Sequence, residues 1–215
     1  MLIRPLQRLL ECIYDAPCGH DVRDFLVTER RHLPSERHAL AAEEELVLVE
    51  QELDHYLMLY LDSELLARLR EQDPLRALHG GNIADFWVAL EGVSHFSCLM
   101  WNAGHDRGVS LLDLELQAEL DKYICSFWLL RKQYPGHQPR ELHHLLFERT
   151  KVDPTLPPAR QQLYAKATYY AARLCNALQS SLLSTRSTQR RGALAMLRRF
   201  YRLSSPGKLR YIEAL

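Results

Sequence analysis

Glutamates, a histidine and a lysine recur at helical spacing in the middle of this chain. Glu91, His95, Cys98 and Asn102 make a narrow polar stripe in an otherwise apolar segment. Glu115, Glu119, Lys122 and Ser126 make a second stripe in the next one. At 100° per residue, each set falls along one side of a helix. Carboxylates and an imidazole on facing helices can ligate a metal or relay protons when they point inward. Turned outward, they form a solvated strip, in which Glu115 and Glu119 have the spacing to pair with Lys122. A turn centred near Asp106 sets the two segments antiparallel. Glu91 then falls near Lys122, His95 near Glu119 and Cys98 near Glu115.

Other patterns carry less chemistry. E-x-x-H occurs at Glu29/His32, Glu52/His55 and Glu141/His144, the spacing used in di-iron carboxylate bundles. His55, however, lies away from the apolar face of the helix expected around it. His143 and His144 are adjacent, so on a helix they diverge by about 100° and do not chelate together. Gly80-Gly81 ahead of a helix reads as a helix-breaking turn. There is no G-x-S-x-G, no phosphate loop and no dinucleotide fingerprint. The sequence assigns no catalytic residue, no metal ligand set and no cofactor.

Charge is the strongest non-random signal. The formal net charge is zero, yet up to Arg149 there are about ten more acidic than basic residues, and from Lys151 onward about ten more basic than acidic. Much of the excess lies in one segment, where Ala193, Leu194, Met196, Leu197, Phe200, Tyr201 and Leu203 form an apolar arc. Arg191, Arg198, Arg199 and Arg202 lie opposite. A basic amphipathic helix can dock on an anionic surface or an acidic partner. It can equally bury its arc and solvate its arginines. In the preceding segment Lys166 and Arg173 interrupt a run poor in charge. Such cations need partners if buried, and Glu91, Glu115 and Glu119 are the expected ones.

These residues must be held by helices. Glycine is sparse, and there is no Asn-Gly or Asp-Gly hairpin turn. Periodicity predicts short helices near 2–14 and 21–31. Leu46, Val49, Leu53, Tyr56, Leu57, Tyr60 and Leu61 share a face at period 3.6, which predicts one long helix from Pro34-Ser35-Glu36 to about Arg70. Helices about 83–103 and 110–132 follow, the second opened by a Ser110/Asp113 capping box. Further helices are expected at 139–149, 159–183 and 188–203, with a short piece after Pro206-Gly207. The expected fold is all-α, a multi-helix bundle built on the central antiparallel pair 83–103 and 110–132. It is read as a single domain over 1–215, with a sub-boundary at the Pro-rich linker 153–158.

A hydrophobic fraction of 47% is too high for a disordered chain. No apolar run reaches the length of a membrane span, and the first residues lack the apolar region of a signal peptide. The five cysteines show no C-x-x-C and no metal-type spacing, which suggests buried thiols in a reducing, cytoplasmic setting. The first functional expectation is an interaction or regulatory protein that binds an anionic partner, a protein rather than nucleic acid, through Arg191, Arg198, Arg199 and Arg202. The second is an enzyme or ligand-binding bundle with a polar site at Glu91, His95, Glu115, Glu119, Lys122 and Arg173, with metal binding as one form of it. Assembly into a homo-oligomer through an apolar face is the third.

Overall fold

In a computed structural model, residues 2–38, 41–51, 54–149 and 154–215 are described. Among them are eight helices and one three-stranded sheet. Helix α1 spans Ile3–Tyr14. Strand β1 is the two-residue Leu26–Val27, and β2 (Glu44–Gln51) and β3 (Asp54–Leu61) form an antiparallel pair. Helices α2 (Ser63–Glu71), α3 (Ile83–Ala103), α4 (Leu111–Gln133) and α5 (Glu141–Phe147) follow. The chain closes with α6 (Pro158–Leu183), α7 (Ser187–Tyr201) and α8 (Ser205–Glu213).

The fold is mostly helical, and two all-helix expectations fail. Residues 21–31 form a 3-10 turn, Val22–Phe25, running into β1. The long helix expected up to Arg70 is instead β2, β3 and the short α2. Leu46-Val47-Leu48-Val49 and Tyr56-Leu57-Met58-Leu59-Tyr60-Leu61 are apolar on successive positions, as strands covered on both faces are. Read at period 3.6, the same run mimics a helical stripe. The two faces serve different clusters. Leu46, Leu57, Leu59 and Leu61 join the main core, whereas Val47, Val49, Met58 and Tyr60 pack with Leu33 in a smaller one.

Strand order is β1-β3-β2, with β1 parallel to β3 and β2 at the edge. The register pairs Glu44 with Leu61, Leu46 with Leu59 and Leu48 with Leu57. Paired residues share a face, so Glu44 lies on the side of the main core.

Helix α3 runs through the centre. It packs on α4, α1 and α2, and the hairpin lies against it. Its partner α4 is covered in turn by α6 and α5. The pair lies within a residue of the expected 83–103 and 110–132. The Ser110/Asp113 capping box is formed in full, each side chain bonding the other's backbone N–H. One apolar cluster runs from Ile3 to Ile212, so the helices after the Pro-rich segment share the core of those before it. At the end of α1, Arg198 donates to the Ile13 and Cys12 carbonyls and Arg202 to the Tyr14 carbonyl. No helix among the described residues is long and apolar enough to cross a membrane.

Candidate functional site: a buried carboxylate–imidazole cluster

The two polar stripes face each other, and the strip they form is buried. His95, Glu115 and Lys122 all have less than a tenth of their surface exposed. The stripes are not solvated, because each helix is covered on two sides. Helix α3 lies between α4 and the hairpin, and α4 lies between α3 and α6. A polar stripe on such a helix meets another element instead of water.

Lys122 anchors one end of the cluster. Its Nζ lies 2.6 Å from Glu91 Oε2 and 2.9 Å from Glu119 Oε1, which bears out the expected approach of Glu91 to Lys122. His95 stands one turn further along α3. Its Nε2 is 3.7 Å from Glu115 Oε2, and its Nδ1 is 3.5 Å from Glu44 Oε1. The expected His95–Glu119 approach is therefore replaced by His95–Glu115, one helical turn away.

Glu44 lies outside the expected site, because the 3.6 period of its segment predicts a helix where the chain forms β2. As a strand, its alternation with Leu46 and Leu48 puts it on the face turned toward α3. Gly92 permits the approach. A Cβ on Gly92 would fall 2.8 Å from both Glu44 Cγ and Leu59 Cδ1, closer than packed atoms allow.

Burial and charge pull these groups in opposite directions. Desolvation raises the Glu44 carboxyl, and His95 offsets only part of the rise. Desolvation likewise raises Glu119 against the pull of Lys122. For Glu91 burial also pushes upward, but Lys122 and His95 outweigh it and the group stays below its usual range. Burial opposes a charged His95, yet Glu115 and Glu44 hold its proton and raise the imidazole well above its ordinary value. Lys122 is raised too, its carboxylate partners overcoming desolvation.

Two atoms stand out. His95 Nε2 and Glu44 Oε1 are buried and have no hydrogen-bond partner. One donor atom each from Glu44, Glu91 and His95 lies within 4.8 Å of the others. Two carboxylates flank the Lys122 ammonium and two flank His95, so the cluster is short of positive charge whenever all four are ionised, even with His95 protonated.

Glu91, Glu119 and Lys122 also line a pocket of about 890 Å³. Val88, Leu146, Phe147 and Leu156 supply an apolar wall, and His143 and Tyr164 complete it. Beyond the cluster, Asp121 collects hydrogen bonds from Tyr14, from Ser94 Oγ at 2.6 Å and from Gln117 Nε2 at 2.9 Å. Burial raises this carboxyl to about 6 despite those donors.

The remaining expected residues disperse. Arg173 donates to the Glu213 carbonyl, and Lys166 lies over the Tyr170 ring. The bridge from these cations to Glu91, Glu115 and Glu119 is therefore corrected, because each finds a partner on the outer side of α6. Cys98 does not pair with Glu115; it accepts from Asn102. Arg198 and Arg202 are turned onto α1, whereas Arg199 is exposed and Arg191 lines a groove against α4. Of the E-x-x-H pairs, Glu52 lies outside the described residues. Glu29 pairs with Arg31, and His144 pairs with Glu148 just past the end of α5, so neither reaches the cluster.

Comparison with protein-family models, with curated proteins and with solved structures gave no match.

Proposed function

We propose that this protein binds a divalent transition-metal ion through Glu44, Glu91 and His95, beside a pocket that takes a small organic ligand. The observation carrying this reading is the unsatisfied buried Glu44 Oε1, which faces His95 Nδ1 at 3.5 Å within a donor set completed by Glu91. A buried acceptor or donor without a partner costs about 1–3 kcal/mol, and a metal bond satisfies such a group.

Bonds of about 2.0–2.2 Å place ligand atoms roughly 3.4 Å apart, so the three donors need only a modest contraction from their present span. Carboxylate and imidazole together suit zinc, iron(II) or manganese(II) over calcium or copper(I). Glu115, next to His95, can enter as a further ligand or orient the ring through its second nitrogen.

Glu91 is common to the donor set and to the pocket wall, so a ligand there would meet the metal along one edge. The polar end of such a ligand belongs near Glu91 and Lys122, and its apolar body against Leu146 and Phe147. Bound metal would act there as a Lewis acid, polarising an oxygen of the ligand. The cysteines are free and four of them are buried, which supports a reducing cytoplasmic setting. Docking of an acidic protein partner on the C-terminal basic helix draws less support, because Arg198 and Arg202 already hold backbone carbonyls.

Equilibrium dialysis of chelator-treated protein against zinc and manganese(II), read by elemental analysis, tests the proposal. A single ion per chain is expected, with strong loss in Glu44→Gln and in His95→Gln. Stoichiometric binding unchanged in both variants, or no binding by the folded wild type, overturns it.

A further inference from the structure

A second site lies on the opposite side of α4, and its chemistry is unlike the first. Between α4 and α7 runs a groove of about 530 Å³. Its floor is apolar: Phe127, Leu182 and Leu197 are buried, and Leu194 is half-buried. Its rim is cationic, carrying Arg131 and Lys132 from α4 and Arg190 and Arg191 from α7. No carboxylate lines it among the described residues, and none of the four cations forms an ion pair there.

The arrangement follows from helical spacing. On α7, Arg190, Leu194 and Leu197 fall at i, i+4 and i+7, so the cation stands over the apolar floor on one face. On α4, Phe127 and Arg131 are four apart, and the guanidinium lies 5.9 Å from the ring centroid. Arg131 also donates to the Leu182 and Leu183 carbonyls at the end of α6, which fixes it at the mouth. Trp128 lines the groove with 49% of its surface exposed.

We infer that this groove binds a soluble single-chain anionic amphiphile, a fatty-acid-type carboxylate, with its alkyl chain on Leu194, Leu197 and Phe127 and its head among Arg131, Lys132, Arg190 and Arg191. Charge complementarity selects the occupant, since an apolar trough rimmed by unpaired cations fits a molecule that is apolar along its body and anionic at one end. The volume lies in the range of small-ligand pockets, about 300–1,000 Å³. This site shares no residue with the carboxylate cluster, so either proposal can fail without the other.

The probe is dodecanoate, titrated below its micelle concentration and followed by calorimetry and tryptophan fluorescence. Saturable binding is expected, with a fluorescence change that Trp128→Phe removes while calorimetric binding persists. The exposed pair Arg190→Glu with Arg191→Glu should weaken binding about tenfold or more at unchanged circular dichroism. Lys132→Glu makes the same charge test should that double variant misfold. Dodecyltrimethylammonium binding as tightly as dodecanoate overturns the inference, as does indifference to the charge reversals. Sedimentation with anionic phospholipid vesicles in the absence of dodecanoate binding would assign the surface to a membrane. Self-association abolished by Leu194→Arg would assign it to a second copy of the chain.

Discussion

Glu44 and His95 approach to 3.5 Å from different layers of the fold, one on the edge strand of the sheet and one at the middle of the central helix. Neither residue has a reason to be buried alone. His95 also faces Glu115 at 3.7 Å, and both contacts are ion pairs only while His95 holds its proton.

That dependence sets a pH window. The folded-state pKa of His95 is raised above its unfolded value of about 6.5. Its contribution to stability is thus fully present below about pH 6.5 and is lost as pH rises through the folded value. Urea midpoints of metal-free protein across this range should show the decline, and His95→Gln should flatten it. Metal reverses the sign, because the ion must displace the proton, so zinc-dependent stabilisation should grow with pH.

Gly92→Ala tests how closely the sheet must approach α3. Alanine gains about 1 kcal/mol of helix propensity over glycine. The new methyl would collide with Glu44 and with the fully buried Leu59, and such overpacking costs about 1–3 kcal/mol. Net destabilisation is expected, accompanied by weaker zinc retention. A variant more stable than wild type would show that the hairpin yields freely.

Lys122→Met removes the ammonium shared by Glu91 and Glu119. Leaving two half-buried carboxylates without it should cost about 1–3 kcal/mol near neutral pH. Acidification protonates them, so the deficit should shrink at pH 5 compared with pH 8. Equal deficits at both values would mean that the carboxylates find other partners.

Asp121 moves oppositely to an ordinary surface carboxylate. Its pKa is raised from 3.8 to about 6. Stability from this group is therefore fully present below about pH 3.8 and is lost as pH rises through about 6. The span corresponds to on the order of 2–3 kcal/mol. Chemical denaturation of Asp121→Asn should lack this pH-dependent loss, whatever its absolute stability.

Arg198→Ala and Arg202→Ala should each destabilise by about 1–3 kcal/mol, the value of hydrogen bonds from a charged donor. Arg199→Ala, at an exposed position, should stay within about 0.5 kcal/mol of wild type. Thermal melts of the three variants would separate them, and equal effects would contradict the capping role.

The helices were legible where one period ruled: α3, α4, α6 and α7 fall within a few residues of their expected ends, and the capping box at Ser110 is as read. The hairpin was not. Its strands are apolar on consecutive positions because each face has its own cluster to cover, and such a run fits either period. The site was half legible for a related reason. Spacing brought Glu91 and Lys122 together correctly, but Glu44 belongs to the misread segment, and Asp121 draws its partners from Tyr14 and Ser94, far away in sequence. Arg198 and Arg202 looked like an outward basic face, since carbonyls at the end of another helix leave no trace in the pattern of charge.

Those two arginines also impose an order on the making of the protein. Arg198 lies 185 residues after the Ile13 carbonyl that it caps. Helix α1 emerges well before α7 during synthesis, and its C-terminal end is completed only when α7 arrives. Until α7 has followed it, the carbonyls at its C-terminus stay open and Tyr14 has no Tyr201 to stack on. Such long-range closure slows folding and leaves apolar surface waiting on the nascent chain. Helix α1 is held in place by side chains that the ribosome adds some 185 residues after it.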